Sequence, residues 1–327
     1  MSVLPALRVE SVRKVFDDGQ HDAFTDLCRF RGGLFLTCRS CPDGHMVFAT
    51  SRIVVLTSTD GGSWTEVFSF RVADRDVRDP HFLLFGDTLF VYTGTWLVPR
   101  EGEERDLNEH LGYAAWTADG QAWQGPRLLE GTYGHYVWRA AAWGGRAYLC
   151  GRRRRAFAPR LPHESDPACI EGAMLESEDG LVWRHRTLFT EEHGDETAFL
   201  FEAGGTCVAL ARGTSEVPAR LCRAAPPYTR WQRVALDRNV GGPLLVRWGA
   251  HYLVGGRDTS LAGSPRTALC WLAEDRLHGA AVLPSAGDNS YPGFVALDER
   301  RGLLSYYSSH EGGTSVYLAV IQQEAGR

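Results

Sequence analysis

At 327 residues and 44% hydrophobic content the chain can bury a large core, and its formal net charge of −5 gives no electrostatic reason to expect nucleic acid or an anionic membrane as a partner. Its 36 Gly, 15 Phe, 11 Tyr and 10 Trp, with few helix-period segments, are the composition of many short strands joined by glycine turns. No run of about 18 apolar residues occurs and no apolar stretch follows a basic N-terminal segment, so neither a membrane span nor a signal peptide is expected, and the expected location is cytoplasmic.

The first strand-like segment is Leu7–Phe16, which alternates in polarity. A hairpin pattern then recurs six times: a polar or aromatic start, an apolar run, a Gly-containing turn, a second apolar run, and often an Arg at the exit. The copies are Phe24–Arg39, Asp79–Thr95, Trp138–Arg152, Glu196–Arg212, Gly242–Arg257 and Tyr291–Ser308. Hairpins repeating at this interval predict an all-β fold, a six-bladed β-propeller of four-stranded antiparallel blades, with five blades as the alternative count. Third strands are expected to include Ile53–Ser58, Gly112–Thr117 and Ala173–Ser177. The last segment, Ser315–Gln322, is strand-like and is expected to share a blade with Leu7–Phe16, which would close the ring. No linker divides the chain, so residues 1–327 read as one domain, with long loops at Arg100–His110 and Arg152–Asp166.

The eight cysteines are expected to be reduced, since the chain is neither small nor secretory in pattern. The pair Cys38 and Cys41 forms a CxxC, but no second short-spaced pair completes a zinc site and no thioredoxin-like context surrounds it.

Propeller topology brings the start of each innermost strand and the end of the next strand to one face near the axis. The starting positions are Thr25/Asp26, Asp79, Arg139, Glu196, Gly242 and Tyr291; the exits are Arg39, Tyr92, Arg152, Arg212, Arg257 and Tyr307/Ser308. So many charges at one place need pairing or water. They make either an ion-paired collar or a pocket for an anionic or sugar-like ligand. The arginine fork suits a carboxylate, and carboxylates beside a tyrosine suit acid/base or nucleophilic chemistry.

Between the hairpins stands a second pattern, Ser/Thr-x-Asp-Gly-x-x-Trp. It occurs at Ser58–Trp64, Thr117–Trp123 and Ser177–Trp183, with a worn copy at Ala225–Trp231. The Asp can accept backbone N–H bonds, the Gly supplies a positive φ, and the Trp packs back between strands. This pattern resembles the Asp-box (BNR repeat) of the sialidase (neuraminidase) superfamily, where it joins the third and fourth strands of a blade away from the active face. The resemblance implies an arginine triad for a substrate carboxylate, a Tyr nucleophile activated by a Glu, and an Asp acid/base on a loop. It places Tyr291 as nucleophile, Glu196 as its activating base, and Arg212 and Arg257 as the second and third arginines. The family's first arginine lies in a Phe/Tyr-Arg-Ile-Pro motif; here the segment is Phe24-Thr25-Asp26-Leu27, so Arg39 or Arg139 is expected to supply that charge. Asp43, Asp79 and Asp26 are the acid/base candidates.

Asp288, three residues before Tyr291, either tunes the phenol or closes a turn; His21 and Asp22 bind a sugar hydroxyl or cap a turn. Tyr307 joins the substrate-binding set. Asp195 is expected to point away from Glu196 if the strand has already begun there. His45, His81, His135 and His310 look too dispersed for a metal site, and no metal or cofactor is expected. Trp96, Tyr133, Tyr136 and Trp138 are candidates for an aromatic sugar platform.

The leading expectation is an exo-acting, retaining glycoside hydrolase that takes a terminal acidic sugar from a carbohydrate or glycoconjugate. Three alternatives stand beside it: a glycosidase using an Asp79/Glu196 carboxylate pair on a neutral sugar, a uronate polysaccharide lyase with a long groove, and a sugar-binding propeller without chemistry.

Overall fold

A computed structural model describes residues 4–156, 167–213, 217–261 and 264–324. Six four-stranded antiparallel sheets make up a six-bladed propeller. Blade 1 is His21–Phe30, Gly33–Cys41, Arg52–Ser58 and Thr65–Phe70; blade 2 is Arg75–Phe85, Thr88–Leu97, Leu111–Thr117 and Trp123–Leu128. Blade 3 is His135–Trp143, Arg146–Arg154, Ile170–Ser177 and Arg184–Thr190; blade 4 is Thr197–Phe201, Cys207–Ala211, Arg220–Ala224 and Gln232–Ala235. Blade 5 is Gly241–Trp248, His251–Asp258, Arg266–Ala273 and Arg276–Val282. Blade 6 is Asn289–Ala296, Arg301–Glu311 and Gly313–Gln323, with Leu7–Phe16 as its outermost strand. That last pairing, from Leu7 opposite Gln323 to Phe16 opposite Val316, ties the two ends of the described chain into one sheet and leaves no blade open. The five-blade alternative is excluded.

Each innermost strand touches the innermost strands of both neighbouring blades, so the six surround one axis. Their starts are buried, while outermost strands such as Trp123–Leu128 face solvent along most of their length. Apolar faces of adjacent blades pack in clusters, such as Leu36, Val54 and Leu56 of blade 1 against Leu303 and Leu318 of blade 6. All eight cysteines are free thiols. No described helix is long and apolar enough to cross a membrane. Of the expected loop Arg152–Asp166, Arg152–Arg154 belong to a strand and residues 157–166 lie outside the described residues.

The third and fourth strands of blades 1, 2 and 3 are joined by turns with one bonding scheme. Asp60 Oδ1 accepts from the Gly62 and Ser63 amides, Asp119 Oδ1 from Gln121 and Ala122, and Asp179 Oδ1 from Leu181 and Val182. The preceding Ser or Thr hydroxyl accepts from the turn glycine's amide at 2.9 Å in all three. In blade 4 the segment Ala225–Trp231 makes a related turn. Tyr228, at φ 65°, takes the left-handed place that Gly61, Gly120 and Gly180 hold elsewhere, and its hydroxyl donates to the Gly205 carbonyl.

A second repeated device positions the site. In five innermost strands two residues face one on the partner strand: Phe24-Thr25, Asp79-Pro80, Trp138-Arg139, Gly242-Pro243 and Tyr291-Pro292. Such a bulge breaks the ladder, which is why proline is tolerated there, and it re-aims a side chain. Phe24, Asp79, Gly242 and Tyr291 all adopt positive φ, between 52° and 59°. For the three that carry side chains this is strain of about 1–3 kcal/mol each, concentrated at one end of the axis.

Candidate functional site

At that end lies a pocket of about 270 Å³. This is close to the lower limit of the ~300–1,000 Å³ typical of small-molecule sites. Three bulge residues, Phe24, Asp79 and Tyr291, line it together with Glu196, which immediately precedes blade 4. The other two bulges serve Tyr291. Trp138 packs edge-on to its ring, with centroids 6.2 Å apart, and Gly242 lies flat beneath it.

Tyr291 and Glu196 meet directly. The phenol donates to Glu196 Oε1, while Glu196 Oε2 accepts from Arg212 Nη1 at 2.8 Å and from the Gly242 amide at 2.9 Å. Arg212 Nη1 also lies 3.4 Å from the phenol oxygen. Burial pushes the Glu196 carboxyl up, but Arg212, the phenol and the Gly242 amide outweigh it and hold the group below the usual carboxylate range. Burial and the Glu196 charge push the phenol well above its ordinary value. The resting pair is therefore Glu⁻ and neutral Tyr.

Arg257 stands on the other side of Tyr291, its guanidinium carbon 5.8 Å from the ring centroid. Its Nη2 donates to Asp288 Oδ1 and to the Tyr307 oxygen, both at 2.9 Å, and Tyr307 donates in turn to Asp288 Oδ1. Asp288 Oδ2 faces His21 Nε2 at 3.0 Å and His45 Nδ1 at 2.6 Å. Burial raises the Asp288 carboxyl, but the two imidazoles and Arg257 dominate and hold it far below the usual range. Asp288 is thus an anion behind the pocket wall, and Tyr307 is fully buried beside it. The ligand atoms of His21, His45 and Asp288 lie within 4.8 Å of one another, a grouping that sequence spacing did not suggest. Arg257 on the same carboxylate opposes a dication there by like-charge repulsion.

Several expectations from the sequence are corrected. Arg39 is 0% exposed and does not line the pocket. Its guanidinium donates to Asp76 and to the carbonyls of Gly44 and Met46. Arg139 also lies off the pocket: it pairs with Asp26 at 3.3 Å and donates to the carbonyls of Pro243 and Pro292. Asp26 accepts in addition from the Phe82 amide, so this pair is an internal brace between blades. Asp26 and Arg139 are displaced because each bulge inserts one residue: it brings Phe24 to the pocket in blade 1 and Trp138 behind Tyr291 in blade 3. Thr25 itself donates to the Tyr291 carbonyl at 2.8 Å. Asp43 does not line the pocket, and its carboxylate accepts from Thr50. Asp195 lines the pocket instead of pointing away, because the strand begins only at Thr197. It accepts from Arg152 Nη1 at 3.0 Å and has Arg212 Nε at 3.7 Å.

Arg78 was missed. It lies over the Phe24 ring at 4.9 Å, pairs with Asp76 at 3.4 Å and lines the pocket. With Arg152, Arg212, Arg257 and the rim residue Arg105 it makes five arginines in the wall, against Asp79, Asp195 and Glu196. Asp79 accepts from the Tyr136 hydroxyl through one oxygen, and its other oxygen is buried without a partner. Burial and the Glu196 charge push its pKa up to about 7. Of the aromatic candidates, Trp96 and Tyr136 line the pocket, Trp138 supports it from behind and Tyr133 does not line it.

No protein-family model matches the chain, and no curated protein sequence matches it. Solved structures do. A protein of unknown function from Dyadobacter fermentans superposes with a TM-score of 0.79 at 19% identity, over 98% of this chain and 100% of its own. Trypanosoma rangeli sialidase superposes with a TM-score of 0.68 at 12% identity, over 97% of this chain and 60% of its own. The Hadza microbial sialidase Hz136 gives 0.66 at 13% identity, over 92% of this chain and 65% of its own. The chain therefore spans about 60% of the length of the T. rangeli sialidase. At these identities the likeness is one of fold: the described residues form a six-bladed propeller of the sialidase shape.

Proposed function

We propose that the chain is an exo-acting glycoside hydrolase that removes a terminal acidic sugar, a sialic acid-like nonulosonate or a uronate, from a carbohydrate or glycoconjugate. The observation that carries this reading is the Tyr291–Glu196–Arg212 contact at the floor of an arginine-rich pocket. A phenol is a poor nucleophile at neutral pH unless a base takes its proton. Glu196 is held ionised for that step. As the phenol oxygen bonds to the anomeric carbon, its proton passes to Glu196, so no anion is pressed against an acidic substrate. Arg212 and Arg257 flank the nucleophile and hold the substrate carboxylate, and Arg78 takes the place of the third arginine. Asp79, protonated up to about pH 7, stands at the floor beside Glu196 without adding a second negative charge there.

The likeness to sialidases supports the hydrolase class, and a pocket of about 270 Å³ is small for the long groove that a polymer-cleaving lyase needs. A second reading rests on Asp79 and Glu196, two carboxyls whose environments push them in opposite directions, as acid and base of a carboxylate-pair glycosidase. The experiment is hydrolysis of aryl glycosides of several sugar acids and of neutral sugars by wild type, Tyr291→Phe and Glu196→Gln. The first reading expects loss of about 100-fold or more in kcat for both variants, with a glycosyl adduct on Tyr291 by mass spectrometry. Wild-type turnover in Tyr291→Phe selects the carboxylate pair. Calorimetric binding without turnover by wild type selects a sugar-binding propeller.

A further inference from the structure

An exo-hydrolase seats the terminal sugar at the pocket floor and leaves the departing oxygen facing the mouth. The group that protonates that oxygen has to stand at the mouth. Tyr291, Glu196 and Asp79 are 6%, 7% and 4% exposed and belong to the floor. Asp79 is further committed, one oxygen to Tyr136 and the other enclosed. Asp43 is off the pocket.

His45 meets the requirement. It lines the pocket, and its side chain is 45% exposed. Its Nδ1 lies 2.6 Å from Asp288 Oδ2, and an ionised carboxylate can only accept, so Nδ1 carries the hydrogen. That fixes the tautomer and leaves Nε2 as the exchanging nitrogen; no described residue hydrogen-bonds it. The groups around the ring are Asp288, the His21 imidazole at 5.4 Å between centroids, Phe24 at 5.6 Å, and Arg257 and Tyr307 behind Asp288. Arg78 holds the backbone of His45 itself.

The loop that presents His45 is built with unusual investment. Three consecutive carbonyls, Gly44, His45 and Met46, accept from two buried guanidiniums: Arg39 Nη1 at 3.0 Å, Arg78 Nη2 at 2.8 Å and Arg39 Nη2 at 2.9 Å. Both arginines share Asp76, whose side chain is fully buried. Burying two cations and an anion to hold one loop is costly unless its position matters.

Building on the proposed glycosidase reading, we infer that His45 is the proton donor to the leaving oxygen and that Asp288 is its positioning residue. In the first step the imidazolium gives its Nε2 proton to the glycosidic oxygen as that bond breaks, the Tyr291 oxygen bonds to the anomeric carbon, and the phenol proton goes to Glu196. In the second step Nε2 takes a proton from a water whose oxygen attacks the anomeric carbon, and Tyr291 leaves with the proton returned by Glu196. Every group ends as it began. Asp288 stabilises the imidazolium that the first step requires.

The test compares substrates that share one sugar and differ only in leaving group, an acidic phenol against an alkyl alcohol, with wild type, His45→Gln, His45→Asn and Asp79→Asn. For the two His45 variants, kcat/KM is expected to fall about 100-fold or more on the alkyl glycoside and less than about tenfold on the activated aryl glycoside. Added azide should restore turnover of the aryl substrate, and the alkaline limb of the wild-type pH profile should vanish. Asp288→Asn, which takes the carboxylate acceptor from Nδ1, should show the same leaving-group dependence in smaller measure. Equal losses on both substrates with the limb intact overturn the assignment. So does a leaving-group dependence that appears in Asp79→Asn and not in the His45 variants. Loss of wild-type activity with a chelator, restored by Zn²⁺ and abolished in His21→Ala, would make the cluster a metal site and also overturn it. If wild type turns over no acidic glycoside, the acidic-sugar reading itself fails; if it does and the His45 variants behave as wild type, only this assignment fails.

Discussion

Tyr291 and Gly242 are stacked so closely that no side chain fits between them: a Cβ on Gly242 would lie 2.5 Å from Tyr291 Cδ2. Gly242 also sits at φ 58° and donates its amide to Glu196. Three constraints thus meet at one residue, namely conformation, clearance and a hydrogen bond to the base. Gly242→Ala is expected to lower stability by about 1–3 kcal/mol through backbone strain. It should also reduce kcat by more than that loss explains, because the ring must shift off Glu196. Thermal melting and kcat at a temperature where the variant stays folded check this. A variant with wild-type kcat would show that the stack does not position the phenol.

The Arg139–Asp26 brace makes a contrasting prediction. Both side chains are largely buried, and Arg139 spans blades 3, 5 and 6 through its two carbonyl partners. Arg139→Met leaves Asp26 ionised without its cation, a change that costs about 3–5 kcal/mol in buried pairs. Stability should fall by that order while KM for an acidic sugar stays within about threefold in the folded protein. Denaturant unfolding and initial-rate kinetics separate the two. A KM raised tenfold or more without loss of stability would return Arg139 to the binding wall.

Arg257 should behave in the opposite sense. Its fork is placed at the pocket and anchored by Asp288 and Tyr307. Arg257→Gln should weaken the preference for a sugar acid over its neutral amide by about tenfold or more, with little change on the amide. The readout is the ratio of kcat/KM values for the matched pair. Equal losses on both would mean that Arg257 serves the wall and does not meet the carboxylate.

These contrasts mark where sequence reading succeeds and where it stops. The blades are legible because each hairpin carries its own apolar runs and turn glycine, and closure follows from the strand-like segments Leu7–Phe16 and Ser315–Gln322. Tyr291, Glu196, Arg212 and Arg257 are legible because strand starts and exits in a propeller converge. Arg139 and Asp26 are misplaced by one inserted residue per bulge, since a bulge shifts which side chain meets the axis. A sign of it was present: Pro80, Pro243 and Pro292 sit in innermost strands, where an unbroken ladder has no place for proline. Arg39 leaves the pocket and His45 lines it because the Gly44–Met46 loop turns its carbonyls toward buried arginines, a contact that no local pattern encodes. Asp288, just before blade 6, meets His21 and His45 of blade 1 only through ring closure.

Asp79 supplies a prediction that does not depend on any substrate. Its pKa is pushed up to about 7 in the folded chain, chiefly by burial and then by the Glu196 charge, against an ordinary value of about 3.9 when unfolded. Between those values the folded state holds a proton that the unfolded state has released. Folding stability from this group is therefore fully present below about pH 4, declines by up to about 1.4 kcal/mol per pH unit as pH rises, and is lost above about pH 7. Asp79→Asn cannot ionise and escapes that decline. Relative to wild type, the melting temperature of the variant should rise steadily from pH 4 to pH 7 and then stay level. A difference that is flat across this range would mean that Asp79 is ionised throughout, held by Arg78 and the Tyr136 hydroxyl. Asp79 would then accept, and not donate, at the pocket floor.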